Sequence, residues 1–391
     1  MPVTFGPKLR LATLGLAALA LALPAPLSAQ DAKLPPTLTF TAYDTGTSGF
    51  NITVAVGKGL KDKFNTELRV LPAGNDVARL APLKQGRAQV SGMGTGIYYA
   101  QEGVLEFAVK EWGPQALMLL LSSIDCNGSA LGIAKDSGAT DYKGLKGKRV
   151  GWVDGSPALN QNTLAMLAFD GVKKEDVKLV EFASFGAMWK GMLNNDVDAA
   201  YASTITGVTK ELETSPRGLV WPALSFADKE GWARMKAIAP YFTQHKATCG
   251  SAGLSPQTPK EMATFPYPLY TVMGSMPDDM AFAITKAMVD SYDIYKDGAP
   301  GAGGLELKQQ TTQWVIPFHP GAVKVFKAAS IWKDADETNN QKLLNRQGVL
   351  GEAWGAFMKS SPPDETEAFR KAWFAARKAA LVKAGLEPLF D

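Results

Sequence analysis

The chain has 391 residues, of which 46% are hydrophobic and 20% charged, with a formal net charge of +3. Its charges are scattered rather than blocked, which leaves no electrostatic footprint for a nucleic-acid partner. Two cysteines, Cys126 and Cys249, and two isolated histidines supply no Cys/His cluster of the kind that holds zinc.

The first residues read as an address. Lys8 and Arg10 precede a thirteen-residue apolar run, L-A-T-L-G-L-A-A-L-A-L-A-L, and then P-A-P-L-S-A-Q with small residues at Ser28-Ala29. That is the layout of a cleavable secretory signal peptide over residues 1–29, and the run is short for a membrane span. The expected location is the periplasm. An oxidising compartment permits a disulfide between Cys126 and Cys249, although sequence alone leaves both the bonded and the free forms open. The remaining chain, roughly 360 residues, exceeds what one core usually serves, so two lobes are expected.

The first unit begins with an alternating strand at Thr37–Tyr43 and the loop T-G-T-S-G-F-N. A helix follows, with Ile52, Val56, Leu60 and Phe64 at four-residue spacing. Next come the strand E-L-R-V-L-P and a turn A-G-N-D, whose Asn75 or Asp76 caps a second helix with Val77, Leu80 and Ala81 facing inward. G-R-A-Q-V-S-G-M-G closes the unit as a short strand running into Gly94-Thr95.

The same order returns after Gly147. K-R-V-G-W-V is a strand, D-G-S-P a loop, and Ser156-Pro157 an N-cap followed by proline at the first helical position. Leu164, Leu167 and Ala168 mark the inner face of that helix. V-K-L-V-E-F is the next strand. Ser184 then caps a helix whose Phe185, Met188, Trp189 and Met192 fall on one face. N-D-V-D-A-A-Y-A-S-T ends the unit, setting Ser203-Thr204 opposite Gly94-Thr95.

Strands alternating with helices imply α/β lobes with parallel or mixed sheets flanked by helices, and ligands belong at the loop edge that follows the strands. The apolar stretch Gln115–Ala134 carries the chain from one lobe to the other, and Tyr267–Met273 returns it. The expected division is residues 30–125 for the first part of lobe one, 126–268 for lobe two, and 269–391 for the return and a helical C-terminal extension. Two crossings of this kind make a hinge.

Enzyme chemistry finds few parts. There is no G-x-x-x-x-G-K-[ST], and G-M-G-T-G lacks the last glycine of a dinucleotide fingerprint. Ser156 has no G-x-S-x-G elbow, His319 in P-F-H-P-G reads as a structural hydrogen-bonder, and His245 in Y-F-T-Q-H-K lies in a polar stretch. Asp196 and Asp198 read as a turn. What remains is a set of helix starts carrying hydroxyl and amide residues, which suit a bound anion: Thr47-Ser48, Asn75-Asp76, Thr95, Ser156 and Ser203-Thr204. Trp152, just before D-G-S-P, is a candidate pocket wall. A binding cleft accounts for the set better than a catalytic one, and no cofactor or metal is expected.

These residues resemble the TAXI branch of solute receptors that serve TRAP transporters. T-G-T-S-G-F-N is similar to that family's glycine- and threonine-rich first loop, and L-P-A-G-N-D-V-A-R-L-A-P-L-K-Q-G-R-A-Q-V to its next stretch. G-W-V-D-G-S-P-A stands where the family has a Gly-Ser-Gly-Thr-like turn, and W-V-I-P-F-H-P-G-A-V-K-V-F-K resembles its C-terminal P-x-H-P-G-A segment. The resemblance implies a monomeric periplasmic receptor that closes on a small organic anion and hands it to a membrane permease. It assigns ligand contacts to Thr47, Ser48, Gly49, Phe50, Asn51, Asn75, Asp76, Gly94, Thr95, Ser156, Pro157 and Ala158, with Ser203 and Thr204 beside them. Phe50-Asn51 replaces a common tyrosine, and Pro157 removes a donor amide. Both departures make an acid with an apolar or aromatic body at least as plausible as glutamate. Two other readings stay open: a receptor for an ABC importer, and a periplasmic hydrolase with a histidine within reach of Ser156.

Overall fold

In the computed structural model, which describes residues 1–4, 6 and 33–390, the chain builds two sheets from one repeated plan. The segment read as a signal peptide lies outside the described residues, apart from 1–4 and 6. Among the described residues no helix is long and apolar enough to cross a membrane.

The first lobe is laid down as β1 (Thr37–Ala42), α1 (Ser48–Phe64), β2 (Glu67–Pro72), α2 (Asp76–Lys84), β3 (Val90–Met93), α3 (Gly96–Glu102) and β4 (Leu117–Ser122). The second follows as β5 (Ser129–Ala134), β6 (Arg149–Val153), α4 (Pro157–Phe169), β7 (Lys178–Phe182), α5 (Phe185–Leu193), β8 (Ala199–Ser203), α6 (Gly207–Thr214), β9 (Leu219–Val220), α7 (Lys229–Ile238), β10 (Thr243–Ala247) and β11 (Lys260–Thr264). The chain then returns with β12 (Leu269–Met273), α8 (Asp278–Asp290), α9 (Tyr292–Tyr295), α10 (Pro320–Ala328), α11 (Asp334–Lys359) and α12 (Thr366–Lys383).

One sheet runs β2-β1-β3-β12-β4; the other runs β10-β11-β5-β8-β6-β7, with β9 added on β5. In each, a strand sits between two parallel neighbours: β1 between β2 and β3, and β6 between β7 and β8. An antiparallel strand then continues the sheet, β12 beside β3 and β5 beside β8. The sheets are therefore mixed, and β12 and β5 are the strands that follow the two crossings. Those crossings lie side by side: the Tyr267 amide donates to Ser123 O at 2.6 Å, and the Ser123 amide to Pro268 O at 3.0 Å.

The sequence rules work well where a helix has one apolar stripe. Ile52, Val56 and Leu60 are buried on α1, and Phe185, Met188, Trp189 and Met192 on α5, which Ser184 caps by accepting from the Ala187 amide at 3.1 Å. They fail on α2 and α4. The buried face of α2 is Asp76, Arg79, Leu80 and Leu83, while Val77 and Ala81 are only partly covered. On α4 Leu167 is buried as expected, but so are Asn160, Asn162 and Thr163, while Leu164 and Ala168 stay partly exposed. Both helices turn polar groups inward because that side faces the other lobe rather than a core.

Cys126 and Cys249 are joined as a disulfide, with Cα atoms 5.4 Å apart. The bond ties the first crossing to the loop after β10. At the other end, α11 and α12 pack as a hairpin against α3, anchored by Glu102. This fully buried carboxylate accepts from Arg346 Nε at 2.6 Å and from Arg377.

Candidate functional site

The cleft between the sheets is lined from lobe one by Tyr43, Thr47, Ser48, Asp76, Arg79, Gly94 and Thr95. Lobe two supplies Ser129, Ala158, Leu159, Asn162, Phe185, Tyr201, Ala202, Ser203 and Thr206, and the second crossing supplies Phe265 and Tyr267. The cleft holds about 500 Å³ of space outside the atoms, solvent at its mouth included. The mixture of aromatic walls with a few aimed polar groups is typical of small-molecule sites.

Asp76 is the centre of the polar network. It is fully buried, and its Oδ1 accepts from Arg79 Nη2 at 2.5 Å. Its Oδ2 reaches across to lobe two, accepting from the Ala158 amide at 2.8 Å and from the Ser156 hydroxyl at 3.4 Å. Ser156 makes no side-chain cap on its own helix. A carboxylate from the opposite lobe takes over that role, where the unpaired amides of a helix start favour negative charge. Tyr43 then donates to Ser156 Oγ at 3.0 Å, since Ser156 spends its own proton on Asp76.

Arg79 is held on three sides. Its guanidinium stacks over the Tyr43 ring at 4.0 Å, Nη1 donates to Gly92 O at 3.1 Å, and Nη2 serves Asp76. Nε has no partner, although the residue is 1% exposed. Tyr201 Oη, in the facing wall, is likewise buried without a partner. Burial raises the pKa of Tyr43, Tyr201 and Tyr267, the Asp76 charge adding to the rise at Tyr43 and Arg79 opposing it at Tyr267. These phenols keep their protons in ordinary buffers and act as neutral donors and acceptors.

Further bonds join the lobes beside the cleft. Tyr99 meets Tyr241 at 2.9 Å, Tyr241 donates to Asn162 Oδ1 at 2.7 Å, and Asn162 Nδ2 donates to Thr95 Oγ1 at 3.4 Å. At the rim, Asp44 accepts from the Gly186 amide at 2.8 Å, doing for α5 what Asp76 does for α4.

The residues expected from the sequence divide into two groups. Thr47, Ser48, Asp76, Gly94, Thr95, Ala158 and Ser203 line the cleft. Thr47 also caps α1, its Oγ1 accepting from the Phe50 amide at 3.2 Å. Gly49 allows α1 to press against the hinge, because a Cβ there would collide with the Tyr267 hydroxyl. Gly96 does the same for Asp76, whose carboxyl carbon would lie 2.6 Å from an added Cβ. Ser156 acts through its bonds to Tyr43 and Asp76, and Pro157 opens α4.

Eight expected contacts do not line the cleft: Gly49, Ser156 and Pro157 stand behind its wall, and five others are placed elsewhere. Phe50 and Asn51 face a depression beside Tyr295 and Pro300, because α1 begins at Ser48 and each further residue turns about 100° around the axis. Asn75 is spent as the cap of α2, its Oδ1 accepting from the Ala78 amide at 2.8 Å. Trp152 does not line the cleft, and its ring is covered by the Lys174 ammonium at 4.9 Å. Thr204 donates to Cys249 O at 2.9 Å and lines a depression next to the disulfide. The sequence reading passed over Tyr43, Asn162, Tyr201, Phe265 and Tyr267 as ordinary strand, helix or crossing residues. No motif marks Arg79; a charged residue three positions after Asp76 on one helix face is the available signal.

Neither histidine lines the cleft. His319 caps α10, its Nδ1 accepting from the Gly321 amide at 3.1 Å while Nε2 meets Met276 O at 3.0 Å. His245 lies on β10, paired with β11 at the sheet edge. Among the described residues no group of three or more His, Cys, Asp or Glu side chains is arranged to hold a metal.

The sequence profile of the NMT1-like family matches residues 41–329, from β1 through α10. The chain belongs to the NMT1-like family. The α11–α12 hairpin of this NMT1-like protein lies outside the matched range. Among solved structures, it is similar to the alkanesulfonate-binding protein SsuA from Xanthomonas axonopodis pv. citri bound to MOPS, at 15% identity over 79% of this chain and 94% of that one, with a TM-score of 0.44. An ancestral arginine-binding protein bound to arginine is 16% identical over 67% of this chain and 97% of its own, with a TM-score of 0.40. An amino acid ABC transporter substrate-binding protein from Streptococcus pneumoniae Canada MDR_19A bound to L-arginine is 12% identical over 69% and 95%, with a TM-score of 0.42. No curated protein matches the chain.

Proposed function

We propose that this chain is an exported receptor that captures a small organic acid between its lobes and delivers it to the membrane permease of a TRAP-type secondary transporter. The observation that carries the reading is the cleft itself. Both lobes and the hinge wall it. Lobes joined through two adjacent crossings can part without unthreading the chain, which is the hinge form of domain closure. Affinity would come from the unpartnered Arg79 Nε and Tyr201 Oη, and from the apolar body of the acid meeting Phe185, Phe265 and Tyr267.

The hydrolase reading needs an imidazole beside a cleft hydroxyl, and both histidines are engaged or placed away from it. Delivery to a TRAP permease rests on the resemblance of the loops and of the P-F-H-P-G-A segment, and export rests on the N-terminal pattern. The test is a thermal-shift panel of mono- and dicarboxylic acids, amino acids and sulfonates on the chain without residues 1–29. A ligand held by the folded form alone raises the melting temperature by mass action. Stabilisation by carboxylic acids supports the reading, and stabilisation by amines or sugars alone removes it.

A further inference from the structure

We propose that the Asp76 carboxylate competes with the ligand for the cleft's anion-binding donors, so that the site selects acids with a single carboxylate. The inference rests on the organic-acid reading and concerns how the same site chooses among acids.

Two observations meet here. The first is that the helix start best placed to receive an anion already receives one from within the chain. The Ala158 amide, in the first turn of α4, donates to Asp76 Oδ2 at 2.8 Å, and the Ser156 hydroxyl and Arg79 Nη2 converge on the same carboxylate. The second is that Arg79 Nε and Tyr201 Oη, on residues 1% and 4% exposed, make no hydrogen bond of normal geometry in the cleft wall, with Tyr267 beside the guanidinium and Ser129 beside the phenol. Buried polar atoms are rarely left unpaired, because each then bears its full desolvation cost. A guanidinium N–H and a phenol call for an oxygen acceptor from outside the chain.

Charge sets the limit. Among the described residues Arg79 is the one cationic residue lining the cleft and Asp76 the one acidic residue, so that wall has no net charge to offer. A ligand carboxylate must share a single guanidinium with Asp76 or displace Asp76 from it, and like charges in a water-poor site oppose each other. One carboxylate meets this opposition once and a dicarboxylate twice. The aromatic walls at Phe185, Phe265 and Tyr267 suit the apolar remainder of a monocarboxylate.

The experiment is calorimetric titration of the wild type, Asp76→Asn and Asp76→Ser with benzoate, phenylacetate, L-glutamate and 2-oxoglutarate. The wild type should prefer a monocarboxylate. Both variants should bind that acid about tenfold tighter or more and should gain affinity for 2-oxoglutarate. Unchanged or weaker binding by folded variants, with wild-type binding intact, overturns the competition and leaves the organic-acid reading standing. Binding of none of the four acids by any of the three proteins removes the organic-acid reading and the competition with it. Should the variants fail to fold, a crystal structure of the wild type with its tightest acid decides the point. Loss of the Asp76–Ala158 bond supports competition, and an intact bond beside the bound acid overturns it.

Discussion

Tyr241 gives its proton to Asn162 and accepts one from Tyr99, so a single phenol ties lobe one to lobe two beside the cleft. Replacing Tyr241 with Phe leaves the Tyr99 hydroxyl and Asn162 Oδ1 buried without that partner, at a cost of about 1–3 kcal/mol to the closed arrangement. Ligand affinity should fall by about five- to a hundredfold as a result. Calorimetric titration measures the loss, and solution scattering should show a larger radius of gyration for the variant.

The Asp76–Arg79 pair is buried on both sides, at 0% and 1% exposure. Arg79→Met removes the cation and strands the carboxylate, which should destabilise the fold by about 3–5 kcal/mol. The double variant Asp76→Leu/Arg79→Met strands neither charge and should recover most of that loss. Urea midpoints of the two variants against the wild type read the difference.

The same pair marks where sequence reading succeeded and where it stopped. The repeated strand–helix order is legible because β1 alternates, β3, β6 and β8 are short and largely apolar, and α1 and α5 carry clean stripes. The α2 and α4 faces were misread because the rule that apolar residues point inward assumes a core. Those helices point Asp76, Arg79 and Asn162 into a polar cleft between lobes. The sequence reads Phe50 and Asn51 as loop, but the loop ends at Thr47 and the helix carries them away from the cleft. The edge strand T-Q-H-K-A and its neighbour K-E-M-A-T are not legible in the sequence because neither shows the apolar alternation of a buried strand. Tyr267 lies in the second crossing, and only the meeting of both lobes reveals it as cleft wall.

The disulfide closes a loop of 123 residues between the first crossing and the loop after β10. Cutting so long a loop should cost about 3–5 kcal/mol, chiefly through the freedom returned to the unfolded chain. The double variant Cys126→Ser/Cys249→Ser should unfold at lower urea than the wild type. Addition of reductant should lower the wild type toward the variant and leave the variant unchanged.

Glu106 lies just beyond α3, and burial raises its carboxyl from 4.5 to about 7, with one oxygen enclosed and unpartnered. A carboxyl raised in the folded state holds a proton there that the unfolded chain has already released. Its effect on stability is therefore most favourable below pH 4.5 and is lost as pH rises through about 7. Glu106→Gln removes that loss and should stabilise the protein at pH 8 by on the order of 2 kcal/mol. Melting temperatures of the two proteins should converge near pH 4 and separate above pH 7.

The central claim is that the cleft binds one small acid through Arg79. It is tested most directly by titrating the acid with the largest thermal shift into the wild type and Arg79→Lys. Lysine keeps the cation beside Asp76 and deletes the unpartnered Nε–H. The account predicts one site per chain, no chemical change in the acid, and binding at least tenfold weaker in Arg79→Lys, as expected for losing a charge-assisted hydrogen bond. Equal affinity in the two proteins, or conversion of the acid to a product, would contradict it.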